Sequence, residues 1–339
     1  MKLTKILVAL SFLFAVSTAN AGELTVTGSM EATYNSQGGS VTGNPLGTDR
    51  ELKFSGSTEL DNGMTVSVYQ DTSDNLGYGD NKITFGNVMG MVDIYVGADG
   101  SPVDAIDDIT PSAYEEANGS GSGTLNDIGG LAGEMGIGVK MTLPILGAVD
   151  YKYIPKVDGT ENADNANSAN ANNSVGSGDS ISIKTNLGDI PGVGGYLAGV
   201  TLTTGYETIE IASDANTADS HDLTAAINYS IGNLALGVQR KYSNDGETST
   251  TVDEIFYKDL AIGVSYAVND QLSVSYNRYD SDRHNNTTGV NPTQSSQAFN
   301  IGYTMGGMTI GFQEASTDDA GWVKDAEDDS RTLGVSVAF

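Results

Sequence analysis

The sequence predicts an all-β fold, a closed 16-stranded antiparallel transmembrane β-barrel. Three observations lead there. Apolar residues alternate with small or polar ones at period two along almost the whole chain after residue 21, the pattern of strands with two unlike faces. The connections between these segments alternate between tight turns and long polar loops, which gives the chain a short-turn end and a long-loop end. Large apolar and charged residues are both scarce: the chain is 38% hydrophobic and 18% charged, and it carries 43 glycines.

The same composition excludes several functions. With no cysteine and only two histidines, there is no disulfide scaffold, thiol chemistry or Cys/His metal cluster. With 44 Asp+Glu against 16 Lys+Arg and a formal charge of −28, nucleic acid is not a partner, because a phosphate backbone requires a basic surface. No nucleophile elbow is present to suggest an enzymatic barrel.

In chain order, residues 1–21 come first. Lys2 and Lys5 precede the apolar run from Ile6 to Val16, and Ala19-Asn20-Ala21 follows as a small-x-small site. This is the pattern of a cleaved signal peptide; the run is well short of the roughly 20 residues of a membrane helix. Removing it takes away two lysines and makes the chain two charges more negative. Residues 22–339 then read as one barrel. Strands are expected near 23–34, 51–60, 64–73, 81–88, 91–98, 134–142, 146–154 and 178–187. The second half adds 196–208, 222–231, 233–242, 259–267, 271–280, 297–305, 308–317 and 330–339. Typical are Leu234, Leu236 and Val238 interleaved with Ala235, Gly237 and Gln239, and Leu333, Val335 and Val337 interleaved with Gly334 and Ser336. Short turns fall at Asp61-Asn62-Gly63, Met89-Gly90, Leu143-Pro144-Ile145, Ile231-Gly232, Asn269-Asp270 and Gly306-Gly307. Most of the other connections are long, above all 99–133 and 155–177.

The aromatics separate a membrane barrel from a soluble sandwich. Tyr34, Tyr153, Tyr206 and Tyr276 come last on strands rising toward the long loops. Tyr229, Tyr266, Tyr303 and Phe339 come last on strands descending to the short turns. All share the parity of the apolar face, so they form two girdles where amphipathic rings favour the membrane interfaces. In hydrocarbon every backbone polar group must be paired, so the sheet must close, and its inside is free to be wet.

At this point the chain resembles the bacterial general porins, the 16-stranded Gram-negative outer-membrane family. The resemblance rests on the alternating final strand Arg331-Thr-Leu-Gly-Val-Ser-Val-Ala-Phe339, the opening Gly22-Glu-Leu-Thr-Val-Thr-Gly28, and Lys82-Ile-Thr-Phe-Gly-Asn87. It rests also on the rank and length of the third loop, 99–133, with Ala105-Ile-Asp-Asp-Ile-Thr-Pro111 and Ala113-Tyr-Glu-Glu116. It implies a third loop folded into the lumen as a constriction and a homotrimer in the outer membrane among lipid and lipopolysaccharide. It also implies passive diffusion of small hydrophilic solutes and ions. The alternative on the same scaffold is a solute-specific channel.

Candidate constriction residues follow from that resemblance. Asp104, Asp107, Asp108, Glu115 and Glu116 of the third loop would form one side. Lys53 and Lys82, at lumen parity, with Arg50 at the adjoining loop end, would form the other. Asp93, Lys140, Lys152 and Lys184 share the lumen parity. The family's usual wall is a dense arginine cluster, whereas this chain has arginine only at positions 50, 240, 278, 283 and 331. The excess of carboxylates therefore predicts a preference for cations. No cofactor is expected. Asp107-Asp108 and Asp318-Asp319 offer oxygens that calcium accepts, without the spacing of a calcium loop. Tyr69, Tyr95 and Tyr114 are the tyrosines that depart from lipid parity. His221 and His284 are expected to face solvent, and Trp322 has no assigned role.

Overall fold

The structure, a computed structural model, describes residues 24–339 apart from 38–42, 73–76, 118–127, 158–174, 193, 212–218, 245, 247–254 and 286–288. The 1–21 segment and most of the 155–177 loop lie outside the described residues.

Each expected strand is present. In order they are β1 (Leu24–Gln37), β2 (Leu46–Glu59), β3 (Thr65–Thr72), β4 (Tyr78–Val88), β5 (Val92–Ala98) and β6 (Met135–Leu143). Then follow β7 (Gly147–Ile154), β8 (Val175–Asn186), β9 (Val200–Ile211), β10 (Ser220–Ile231), β11 (Leu234–Asn244) and β12 (Ile255–Ala267). After β13 (Leu272–Asn285), the two-residue β14 (Gly289–Val290) pairs only with the end of β13. The wall resumes with β15 (Gln294–Met305), β16 (Met308–Asp318) and β17 (Glu327–Ala338). Without β14 this is a closed 16-stranded antiparallel transmembrane barrel. Each long strand pairs with its neighbours in sequence, and β1 pairs with both β2 and β17. Phe339 continues the seam by exchanging backbone hydrogen bonds with Gly28, each 2.9 Å.

Several strands run further at the long-loop end than alternation predicts. β2 begins at Leu46 rather than 51, β12 at Ile255 rather than 259, and β13 ends at Asn285 rather than 280. The β2 and β13 extensions are polar on both faces apart from Leu46, so they carry no apolar period; in β12, Ile255, Phe256 and Tyr257 put large side chains on both faces in succession, which hides the alternation in the opposite way. At the other end the turns hold as read. Gly63 (φ 79°) and Gly232 (φ 56°) supply left-handed turn residues that a side chain would strain. The longer turn after β8 contains two short 3-10 segments, Leu187–Asp189 and Gly194–Tyr196.

Burial is inverted relative to a water-soluble fold. Leu24, Val26, Met30, Leu223, Ile227, Ile262 and Leu333 are exposed, whereas Lys152, Gln239, Asp259, Gln294, Asn300 and Gln313 are each 0% exposed. The apolar parity faces lipid and the polar parity faces inward. Tyr34, Tyr206 and Tyr276 are exposed on the outer face near the long loops, and Tyr266 and Phe339 near the short turns. The wall strands are shortest at β5, of 7 residues, and at β3 and β7, of 8 each, and longest at β1, β2 and β13, of 14 each.

Candidate pore-lining site

The third-loop segment leaves β5 at Asp99 and makes a series of hydrogen bonds to inward-facing side chains on successive strands. Ser101 Oγ donates to Glu207 on β9 at 2.6 Å, and the Val103 amide donates to Ser180 Oγ on β8 at 3.1 Å. Gln239 on β11 donates to the carbonyls of Ile106 and Asp107 and accepts from the Ile109 amide at 3.1 Å. Asn228 on β10 donates to the Ile109 carbonyl, and Asn277 on β13 to that of Pro111, each at 3.0 Å. The Ala113 amide donates to Ser275 Oγ at 2.9 Å, and Gln313 on β16 donates to the Glu116 carbonyl at 2.8 Å. Tyr114 Oη reaches Glu31 on β1 at 2.9 Å. On the return, the Gly129 and Leu131 amides donate to Asp222 (3.0 Å) and Glu207 (2.8 Å). Polar side chains buried on the wall thus find partners in the loop backbone, while Asn228 Oδ1 and Gln313 Oε1 stay unpartnered.

Glycines on the wall allow this approach. A Cβ on Gly263 would stand 2.6 Å from the Pro111 carbonyl oxygen. One on Gly302 would overlap the Ala113 carbonyl, and one on Gly311 would overlap the Tyr114 ring. Gly302, Gly311 and Gly334 are successive register partners across β15, β16 and β17, so they form one flat strip.

The expected acidic residues separate into different environments. Asp107 and Asp108 are ion-paired to the buried ammonium of Lys241, at 2.9 and 3.5 Å. Their counter-charge is on the wall to which the loop is attached, not on the expected Lys53/Lys82 side. Among the described residues no group of three or more acids or histidines is arranged to hold a metal. Asp104 is exposed in a 3-10 turn, Asp104–Ile106. Glu115 and Glu116 are half-buried neighbours. Burial, with Glu116 and Glu31 nearby, pushes the Glu115 carboxyl up to about 7. Burial also raises Glu116, against a lowering backbone hydrogen bond.

The basic residues lie on the opposite arc, in a ladder with tyrosine. Lys53 Nζ sits 4.1 Å above the Tyr69 ring, and Lys82 sits 5.2 Å from Tyr69 and 5.3 Å from Tyr95. Lys140 lies 5.4 Å from Tyr95. Each is within cation–π range. Lys82 also pairs with Asp99. Lys152, wholly buried, holds the Asp99 carbonyl at 2.7 Å and its carboxylate at 3.3 Å. Arg50 is not part of this ladder. Its register partner is Met30, on the outward face, and it is exposed. Asp93 lies near the short turns, accepts from the Asn87 amide at 2.8 Å, and faces Lys140 across β5–β6.

Residues not singled out from sequence include Glu207, Asp222, Gln239 and Lys241. Parity put them inward, but only the path of the loop shows their partners. The histidines do not simply face solvent. His221 Nδ1 lies 3.0 Å from Tyr206 Oη, and His284 stacks on Phe256 with centroids 4.4 Å apart. Trp322 is buried and donates to the Ser281 carbonyl at 3.1 Å.

A closed barrel with apolar strands toward lipid and a charged, polar interior is a membrane channel by construction. The sequence matches the Gram-negative porin family over residues 7–309, and the chain belongs to that family. It is therefore a non-enzymatic transport protein of the Gram-negative outer membrane. No curated protein matches it in sequence. Among solved structures, it is similar to the trimer form of OmpT from Vibrio cholerae, with TM-score 0.68 and 11% identity over 94% of this chain and 100% of that one. An anion-selective porin from Comamonas acidovorans gives TM-score 0.68 and 12% identity over 94% and 100%. Salmonella typhi OmpF in complex with daunomycin gives 0.64 and 12% over 94% and 98%. At such identities the likeness is one of fold.

Proposed function

We propose that this porin conducts small hydrophilic solutes and ions by passive diffusion, with a preference for cations, through a lumen narrowed by the 99–133 segment. The observation that carries the reading is the series of hydrogen bonds from residues 101–116 to inward-facing side chains of β8–β16. Asp104, Glu115 and Glu116 form the acidic side of the aperture, and the Lys53–Lys82 ladder forms the basic side. With Asp107 and Asp108 neutralised in part by Lys241, the transverse field depends on the remaining acids.

A sugar track fits less well, because the faces of Tyr69 and Tyr95 are covered by lysine ammoniums. Residues 1–21 act as the export signal and the working unit is a homotrimer; the trimer form of the OmpT structure supports the latter. Reversal potentials in a KCl gradient across a planar bilayer test the selectivity. A cation-selective sign is expected, and an anion-selective sign overturns it.

A further inference from the structure

Beneath the Asp104–Ile106 turn, on the short-turn side, β5 to β8 border a cavity of about 350 Å³. Its wall alternates in charge along the register. Asp93 faces Lys140, Lys140 faces Asp150, and Asp150 faces Ser182, on four successive strands. Neighbouring strands lie about 4.8 Å apart, so opposite charges alternate on the scale of a small molecule. Lys184, two residues beyond Ser182 and on the same face, adds a second cation. It is exposed, and among the described residues no carboxylate pairs with it. Lys140 and Asp150 stand 3.1 Å apart, and Tyr95 Oη fixes Asp150 at 2.9 Å. Ile106 reaches in from the third-loop segment.

Two acids and two lysines leave this lining without net charge, in a chain of formal charge −28. A simple ion meets attraction and repulsion there in equal measure. A solute carrying both charges finds a partner for each, and Ile106 accommodates a small apolar side chain. We propose that the cavity is a binding subsite for small zwitterions of the amino-acid class. The carboxylate is held by Lys184 and Lys140 and the ammonium by Asp93 and Asp150. The volume is at the small end of ligand cavities, which suits such a molecule. This rests on the reading of the 99–133 segment as lying within the lumen.

The test is single-channel current from the full-length protein in planar bilayers, with L-alanine added on the short-turn side and propionamide as an uncharged control of similar size. Alanine is expected to occlude the current saturably, and propionamide is not. Lys184→Met and Asp93→Asn should each weaken the alanine effect by about fivefold or more, and Lys184→Arg should retain it. Equal action of alanine and propionamide, or variants that leave the alanine effect unchanged, overturns the subsite while the channel reading stands. Absence of any conductance overturns both.

Discussion

At the Glu115 carboxyl, burial beside Glu116 and Glu31 sets a value of about 7, so its charge changes near neutrality. A raised carboxylate is neutral below that value and anionic above it. Cation preference should therefore be full above about pH 8 and decline as pH falls through 7. Reversal potentials across this range should show the inflection, and Glu115→Gln should abolish it. The same shift has a stability sign. Its folded value is above the ordinary one, so its contribution favours the fold at low pH and is lost as pH rises through 7. Lys241 is the second informative residue. It is buried against two third-loop carboxylates, and Lys241→Met leaves both without their cation. A loss of about 3 kcal/mol should appear as a lower denaturation temperature of the folded barrel, together with stronger cation selectivity.

At the level of elements, the strip Gly302–Gly311–Gly334 acts as a seat for residues 113–114. Gly311→Val places a side chain where the Tyr114 ring lies. Overpacking of this kind costs about 1–3 kcal/mol. The loop should be pushed into the lumen, with reduced unitary conductance and the barrel still formed. Unchanged conductance would show that Tyr114 is not held against this wall. The elements also show what alternation reveals. β10, β11 and β17 are legible because one face meets lipid and the other water. The first residues of β2 are not, since they are polar on both faces, and those of β12 are not, since Ile255, Phe256 and Tyr257 put large side chains on both; either way the contrast is lost. Lumen parity put Lys53, Lys82, Asp93 and Lys140 on the inward-facing register, but it could not pair Asp107 with Lys241. That pairing depends on a route of more than a dozen loop residues along the wall, and no local period encodes it. Arg50 was misleading for a related reason: its position at a loop end hid the register that turns it outward.

For the whole molecule, the net charge predicts a salt dependence. The screening length is about 10 Å at 0.1 M and about 3 Å at 1 M, so cation preference should weaken steadily between those concentrations. A flat response would place the governing charges at the narrowest point, within direct reach of the permeating ion. The Comamonas structure, anion-selective on a similar barrel, shows why fold alone leaves this sign open. The seam between β1 and β17 has another consequence, for the timing of assembly. Ser29 is matched with Ala338, so the first strand has no final neighbour until the last has been made. Such extreme sequence separation makes closure slow, and until it happens two strand edges stay open. Assembly is thus a race between joining one's own far end and joining another chain, and the chain wins it only if its loose edges are guarded until the ring is complete.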